Sequence, residues 1–260
     1  MEDHPLPKKK SVYILPNLFT TASLLAGFLG LLWAAGGNYE ACAQAVLFSA
    51  LMDGLDGKVA RWTGGSSEFG VQYDSLADLA SFGVTPAFLI HRFALGGFGN
   101  IGTAACFLFA VCSALRLARF NVGASGTAGK SFFTGLPTPA AGCTLACLVL
   151  IAPRLPDVLQ GGMGGIALGC TVGTAFLMVS RIRYASFKEL GFLKAHPFRT
   201  MIQAIALFAL VVADPVIFGP LILFGYIVSG LVYTFITLPR LSKLVNRASR
   251  NAEKRVDQPV

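Results

Sequence analysis

The sequence predicts an all-α, polytopic integral membrane protein, a helical bundle of about eight spans with both termini on the cytoplasmic side. Three observations carry this expectation. Hydrophobic residues make up 54% of the 260-residue chain and charged residues only 13%, with a mean hydropathy of +0.65, a balance that a water-soluble core does not require. The apolar residues fall in runs close to the ~20 residues that carry a helix across a hydrocarbon core. Of the 21 Lys and Arg, all but Arg92 and Arg154 fall on one side of the alternating spans, which the positive-inside rule makes cytoplasmic. The net charge of +8 therefore reads as topology and attraction to anionic membrane lipids, not as a nucleic-acid surface.

Taken in order, residues 1–10 hold two prolines and Lys8-Lys9-Lys10 and read as a mobile cytoplasmic arm. No small-residue cleavage site follows them, so no cleavable leader is expected. Spans are expected near 14–35, 40–60, 71–91, 100–118, 135–152, 163–180, 200–213 and 216–238, the seventh being short. Six spans plus interfacial helices satisfy the charge pattern as well. Pro16 and Asn17 open the first span, an ordinary place for proline. Gly135, Pro137 and Pro139 open the fifth and imply irregular backbone at the membrane boundary, tolerable where it is covered or lines a wet cavity. Gly161, Gly162, Gly164, Gly165, Gly169 and Gly173 suit close helix packing or the interface of a homodimer. In the basic segment 181–199, Phe187, Phe192 and Phe198 interleave with charge, as in a segment lying on anionic lipid. Residues 240–260 form a basic cytoplasmic tail, and a single domain covers 1–260. The six cysteines, Cys42, Cys106, Cys112, Cys143, Cys147 and Cys170, all sit in apolar context and are expected to pack reduced, as small hydrophobes. No GxSxG, P-loop or HExxH motif occurs.

Against that background the stretch Asp53–Asp78, DGLDGKVARWTGGSSEFGVQYDSLAD, is anomalous. An ionised carboxylate near the middle of a membrane helix costs roughly 3 kcal/mol on insertion scales, so four oppose insertion by something on the order of 10 kcal/mol. Asp53 and Asp56 are three apart, and Asp74 and Asp78 are four apart, so each pair projects from one helix face. Two helices packed antiparallel across the short link 61–69 would make the four converge, roughly 6 to 12 Å in from the link. Hard oxygen donors without His or Cys suit Mg2+ or Mn2+, and Ca2+ takes the same donors. Two ions sharing bridging carboxylates fit the number of ligands. Gly57, Ala60, Gly64 and Gly70 would leave room for a bulky substrate. The alternative is a set of protonated aspartates making interhelical hydrogen bonds on small residues.

The pattern D-x2-D-G-x2-A-R-x8-G-x3-D-x3-D, met at Asp53, Asp56, Gly57, Ala60, Arg61, Gly70, Asp74 and Asp78, resembles the signature of the CDP-alcohol phosphotransferase family, with no position missing. The resemblance implies a membrane enzyme that uses divalent metal to displace CMP from a CDP-linked lipid with the hydroxyl of a second alcohol. It implies Asp53, Asp56 and Asp74 on a first ion, with Asp53, Asp74 and Asp78 around a second. Asp78 would also be the catalytic proton acceptor. CDP-diacylglycerol would be bound by Asn17, Thr20, Gly57, Ala60, Arg61 and Ser67. Asn17 and Thr20 have helix capping as their plainer reading, and Arg61 has that of a positive-inside anchor. Segments SALRLARFNV and FFTGLPTPAAG, within residues 113–142, are similar to the branch of the family whose acceptor is L-serine. Arg116 and Arg119, three apart, are then candidates for the serine carboxylate, or else a basic girdle. Acceptors such as glycerol 3-phosphate, an inositol phosphate or a second lipid remain open, as does the more distant reading of a cation transporter. Size and resemblance suggest a bacterial inner membrane, with the active site facing the cytoplasm.

Overall fold

The computed structural model describes residues 14–63, 67–124, 132–185 and 214–237. The expected arm at 1–10, the seventh span at 200–213, the surface segment beyond Ala185 and the tail 240–260 lie outside the described residues. Helix α1 (Ile14–Ala35) and helix α2 (Tyr39–Thr63) form a hairpin. Gly37 turns the chain at φ 84°, in the left-handed region that glycine enters without steric cost. Asn38 then caps α2, its Oδ1 accepting from the Ala41 N–H at 3.1 Å.

The third rod runs unbroken from Glu68 to Phe98, 31 residues. It comprises α3 (Glu68–Asp78), a π-helical stretch Leu79–Val84, α4 (Thr85–Ile90), a second π-helical stretch His91–Leu95 and a 3-10 turn Gly96–Phe98. Then come α5 (Asn100–Ala124), α6 (Thr138–Ile151), the short α7 (Asp157–Gly161), α8 (Met163–Val179) and α9 (Pro215–Val232). By length and composition four helical stretches can cross a membrane, Asn17–Ala35, Glu68–Phe98, Asn100–Val122 and Val216–Phe235, and two shorter ones, Thr138–Arg154 and Met163–Val179, are also apolar. Helix α2 is 25 residues long, but it carries Asp53, Asp56, Lys58 and Arg61.

Among the described residues, strands occur at one place. Strands β1 (Phe132–Thr134) and β2 (Arg183–Ala185) pair antiparallel, Phe133 opposite Tyr184. The fifth span accordingly starts later than 135. Gly135 sits at φ 88°, and the N–H groups of Gly135 and Leu136 donate to the carbonyls of Ile182 (2.8 Å) and Leu177 (3.0 Å). The glycine–proline backbone is thus satisfied by the end of α8, as a non-helical segment at membrane depth requires.

Packing inverts the pattern of a water-soluble bundle. The interior holds many small residues, among them Ala34, Ala43, Ala87, Ala141, Ala146 and Ala175, while Leu18, Phe28, Phe107, Phe176, Leu221 and Phe224 are exposed on the outside. Between helices in lipid there is no hydrophobic drive, so association rests on close approach and interhelical hydrogen bonds. Both are present around α1. The Ser23 carbonyl accepts from Ser49 Oγ (3.1 Å) and Ser81 Oγ (3.0 Å), and the Gly27 carbonyl accepts from Thr85 Oγ1 (3.1 Å). The π-helical stretch makes this possible by re-aiming Ser81 and Thr85, and the Thr85 backbone N–H and Oγ1 both close on the Ala80 carbonyl. All six cysteines are unpaired, five of them buried.

A Cβ added at Gly142 would lie 2.7 Å from the Phe82 carbonyl oxygen and 3.0 Å from its Cα, so backbone must move. Gly142→Ala is expected to cost about 1–3 kcal/mol and to lower the thermal unfolding midpoint in detergent. Gly225→Ala, with nothing within 4 Å, should leave that midpoint unchanged or slightly raised.

Candidate active site

Asp53 and Asp56 lie in the second half of α2, and Asp74 and Asp78 in the second half of α3. Carboxylate oxygens of Asp53, Asp56 and Asp74 lie within 4.8 Å of one another. Asp78, one turn further along α3, lies within electrostatic reach of all three. Asp56 and Asp78 are only 7% and 9% exposed, so water cannot solvate them in place of a cation. At an effective dielectric of about 20, two carboxylates this close repel by on the order of 3 kcal/mol. Clustered carboxylate oxygens of this kind, from facing helices, fit a hard divalent cation. The described residues therefore suit the ion that the sequence implies.

Other side chains tune this centre. Thr20 Oγ1, buried on α1, donates to Asp56 Oδ2 at 2.9 Å, orienting the carboxylate. Asn17 is half-buried one turn earlier on α1, and its Oδ1 would lie 3.5 Å from a Cβ at Gly70, so the glycine keeps α1 and α3 close beside the acids. Ser67 caps α3, its Oγ accepting from the Gly70 N–H at 3.0 Å. Gly57 is half-buried, next to Asp56. Ala60 and Arg61 lie on the final turn of α2, and their side chains fall outside the described atoms.

The two arginines of α5 separate. Arg116 is half-buried, donates from Nη1 to Thr138 Oγ1 at 2.9 Å and lies within electrostatic reach of Asp78 and Asp53. Arg119 is exposed and reaches the Val179 carbonyl at 3.4 Å. One turn of helix therefore decides which guanidinium faces the acids.

Several polar residues around the site were not singled out from the sequence. Tyr73 meets Thr21, oxygen to oxygen, at 2.9 Å and stacks on Phe69. Asn121 Nδ2 donates to Gln72 Oε1 (3.2 Å) and Ser75 Oγ (3.0 Å), tying α5 to α3. Thr138 receives Arg116, and Tyr226 on α9 lies within electrostatic reach of the same guanidinium. Tyr73 sits inside the aspartate pattern and Thr138 inside the threonine–proline run, but nothing in the sequence around Tyr226 marks it. An apolar cleft of about 390 Å³ between α1 and α2, lined by Leu25, Leu29, Trp33, Gln44 and Phe48 among others, lies toward the far end of both helices from the acids. At that far end Arg154 Nη1 contacts both Asp214 oxygens at 2.7 Å, and Asp214 also caps α9. The guanidinium holds the Asp214 carboxyl below the usual carboxylate range.

The family profile described as CDP-alcohol phosphatidyltransferase matches residues 13–177. A CDP-diacylglycerol--serine O-phosphatidyltransferase of Helicobacter pylori is 39% identical over 178 residues, 68% of this chain and 74% of that protein. An archaetidylserine synthase of Methanothermobacter thermautotrophicus is 37% identical over 186 residues, 71% and 75% of the two chains. A CDP-diacylglycerol--serine O-phosphatidyltransferase of Bacillus subtilis is 31% identical over 175 residues, 67% and 92%. All eight acid-signature positions lie inside the matched segment, and α9 lies outside it.

Thr20→Val removes the donor from Asp56 while keeping the side-chain volume. Affinity for Mn2+, titrated by electron paramagnetic resonance on the purified protein, is expected to fall by about 10-fold or more, as for other groups that orient a ligand. An unchanged affinity would detach Thr20 from the centre.

Proposed function

This chain belongs to the CDP-alcohol phosphatidyltransferase family, and on that footing we propose that it transfers the phosphatidyl group of CDP-diacylglycerol to the hydroxyl of L-serine, forming phosphatidylserine and CMP. The observation that carries the reading is Arg116 set against four converging carboxylates. The carboxylates supply a centre for a diphosphate's counter-ion, and the guanidinium supplies a partner for an acceptor that bears its own carboxylate. The names of the relatives at 31–39% identity support serine as that acceptor.

In this reading Asp53, Asp56 and Asp74 hold one divalent ion and Asp53, Asp74 and Asp78 a second, Mg2+ or Mn2+, with Ca2+ compatible. Bound there, the ions would neutralise charge on the diphosphate and on the departing CMP. Asp78 takes the proton of the serine hydroxyl. The hydroxyl oxygen forms a bond to the phosphorus bearing diacylglycerol, the bond from that phosphorus to the bridging oxygen breaks, and its electron pair leaves on CMP. A carboxylate is a weak base for an alcohol, so positioning supplies much of the rate. Thr20 fixes Asp56; Asn17, Gly57, Ala60 and Ser67 line the donor side; Arg61 pairs with the diphosphate. Arg116 binds the serine carboxylate, and Arg119 is the outer, weaker candidate. The excess of basic residues on one side supports a cytoplasm-facing site, both termini on that side and about eight spans in a bacterial inner membrane.

Homodimerisation through α8 fits as well. Gly165, Gly169 and Gly173, one turn apart, would each carry a Cβ with nothing within 4 Å, the small-xxx-small surface on which helices in lipid approach closely. Gly169→Ile should convert a dimer to a monomer by light scattering in mild detergent, and a native protein that is already monomeric there defeats the idea.

Purified protein with labelled CDP-diacylglycerol tests the reaction directly. CMP release should require divalent metal and serine, and it should vanish in Asp53→Asn, Asp56→Asn and Asp74→Asn while the protein stays inserted, since removing a carboxylate lowers an insertion cost. Ethanolamine, which lacks the carboxylate, should be a poor acceptor. Arg116→Lys should raise the serine KM about tenfold or more, in keeping with the loss of a charge-assisted pair, with the CDP-diacylglycerol KM little changed. Release driven by another alcohol would reassign the acceptor, and a transporter would release no CMP at all.

A further inference from the structure

The hydroxyl of Thr138 serves a guanidinium and not its own helix. Thr138 is fully buried and opens α6 directly after the Pro137 cap. A threonine at a helix start ordinarily accepts from a backbone N–H of the first turn, but Pro137 and Pro139 on either side have none to give. Its Oγ1 accepts from Arg116 Nη1 of α5 at 2.9 Å. The backbone that carries this hydroxyl is fixed from a third helix. Gly135, at φ 88°, and Leu136 donate their N–H groups to the carbonyls of Ile182 and Leu177 at 2.8 and 3.0 Å, and Leu136 is fully buried. A Cβ on Gly135 would run into the Met178 carbonyl and lie 3.3 Å from the Ser180 carbonyl oxygen, so the turn admits no side chain. The chain thus docks on the end of α8 two to three residues before it delivers Thr138, and the Ala141 N–H then takes up the Pro137 carbonyl (3.0 Å) to start α6.

We infer that Thr138 is a positioning residue for Arg116: its hydroxyl, anchored through Gly135 and Leu136 on the end of α8, fixes the guanidinium that binds the acceptor. The inference rests on the reading of Arg116 given above. A guanidinium is planar, with five donors and no acceptor, so a bond to one Nη leaves another edge of the fork for a two-point contact with a carboxylate. Threonine makes that bond without adding a charge, and the guanidinium keeps its full charge for the acceptor. A carboxylate at position 138 would hold Arg116 more tightly and compete with the carboxylate of serine. With no partner there, the acceptor itself would have to order a long, rotamer-rich side chain on binding, a cost that is read as weaker affinity.

Thr138→Val keeps the branched shape and removes the oxygen, Thr138→Ala removes it with less bulk, and Thr138→Ser keeps it. In the full-length protein the acceptor KM should rise about tenfold in Thr138→Val and in Thr138→Ala, the scale of one hydrogen bond to a charged group. In both, kcat and the CDP-diacylglycerol KM should stay within about twofold of native. Thr138→Ser should restore the acceptor KM to within about twofold. A merely structural role predicts a different pattern, in which both KM values or kcat change together and serine rescues no better than valine; that pattern overturns the inference, as does a native acceptor KM in Thr138→Val or Thr138→Ala. The KM is read for whichever alcohol drives CMP release in the native protein. A failure of serine therefore overturns the acceptor assignment, whereas silent Thr138 variants overturn only the role of Thr138.

Discussion

Mutual repulsion among carboxylates buried in an apolar bundle is the constraint on which the rest of this structure depends. Asp53, Asp56 and Asp74 present oxygens within 4.8 Å of one another, and Asp78 lies within electrostatic reach of them. With Asp56 and Asp78 nearly sealed from solvent, each close pair opposes the fold by on the order of 3 kcal/mol at an effective dielectric of about 20, against a total stability of about 5–15 kcal/mol for a typical domain. A divalent cation turns the same geometry from a liability into a binding site, so affinity for the ion and integrity of the site are coupled. Arg116 relieves the repulsion in part, but one guanidinium does not balance four acids.

The surrounding packing reads as a response to that load. Small residues let α1, α2 and the third rod approach until hydroxyls of Ser49, Ser81 and Thr85 reach the Ser23 and Gly27 carbonyls. These hydroxyls donate to carbonyls of α1 while α1 stays helical, so they add cross-links without breaking the helix. The π-helical stretch begins directly after Asp78. A widened turn there decouples the register of the acids from that of Ser81 and Thr85, so both can be aimed independently.

The surroundings of Arg116 are built from elements distant in sequence. Gly135 and Leu136 dock on the end of α8, β1 pairs with β2, and the same connection delivers Thr138 to Arg116. The four aspartates lie within one stretch of the chain, whereas the hydroxyl that receives Arg116 arrives on a separate helix.

By itself the sequence determined that the chain is a helical membrane protein, where most of its helices lie, and that aspartates from two segments converge, as Asp53, Asp56 and Asp74 do. Each of these follows from local rules: hydropathy over some 20 residues, the three- and four-residue spacing that puts Asp53 with Asp56 and Asp74 with Asp78 on one face, and the cost of charge in lipid. Only the tertiary structure decided between Arg116 and Arg119, because both sit on α5 in equivalent composition and one turn of rotation sends one toward Asp78 and the other toward Val179. It also decided the role of the Gly135–Pro139 run, whose backbone partners, Leu177 and Ile182, lie at and just past the end of α8. Thr20 with Asp56 and Arg116 with Thr138 were likewise beyond the reach of pattern reading. Contacts between helices depend on how the rods rotate and slide against one another, and no periodicity within a single helix encodes that.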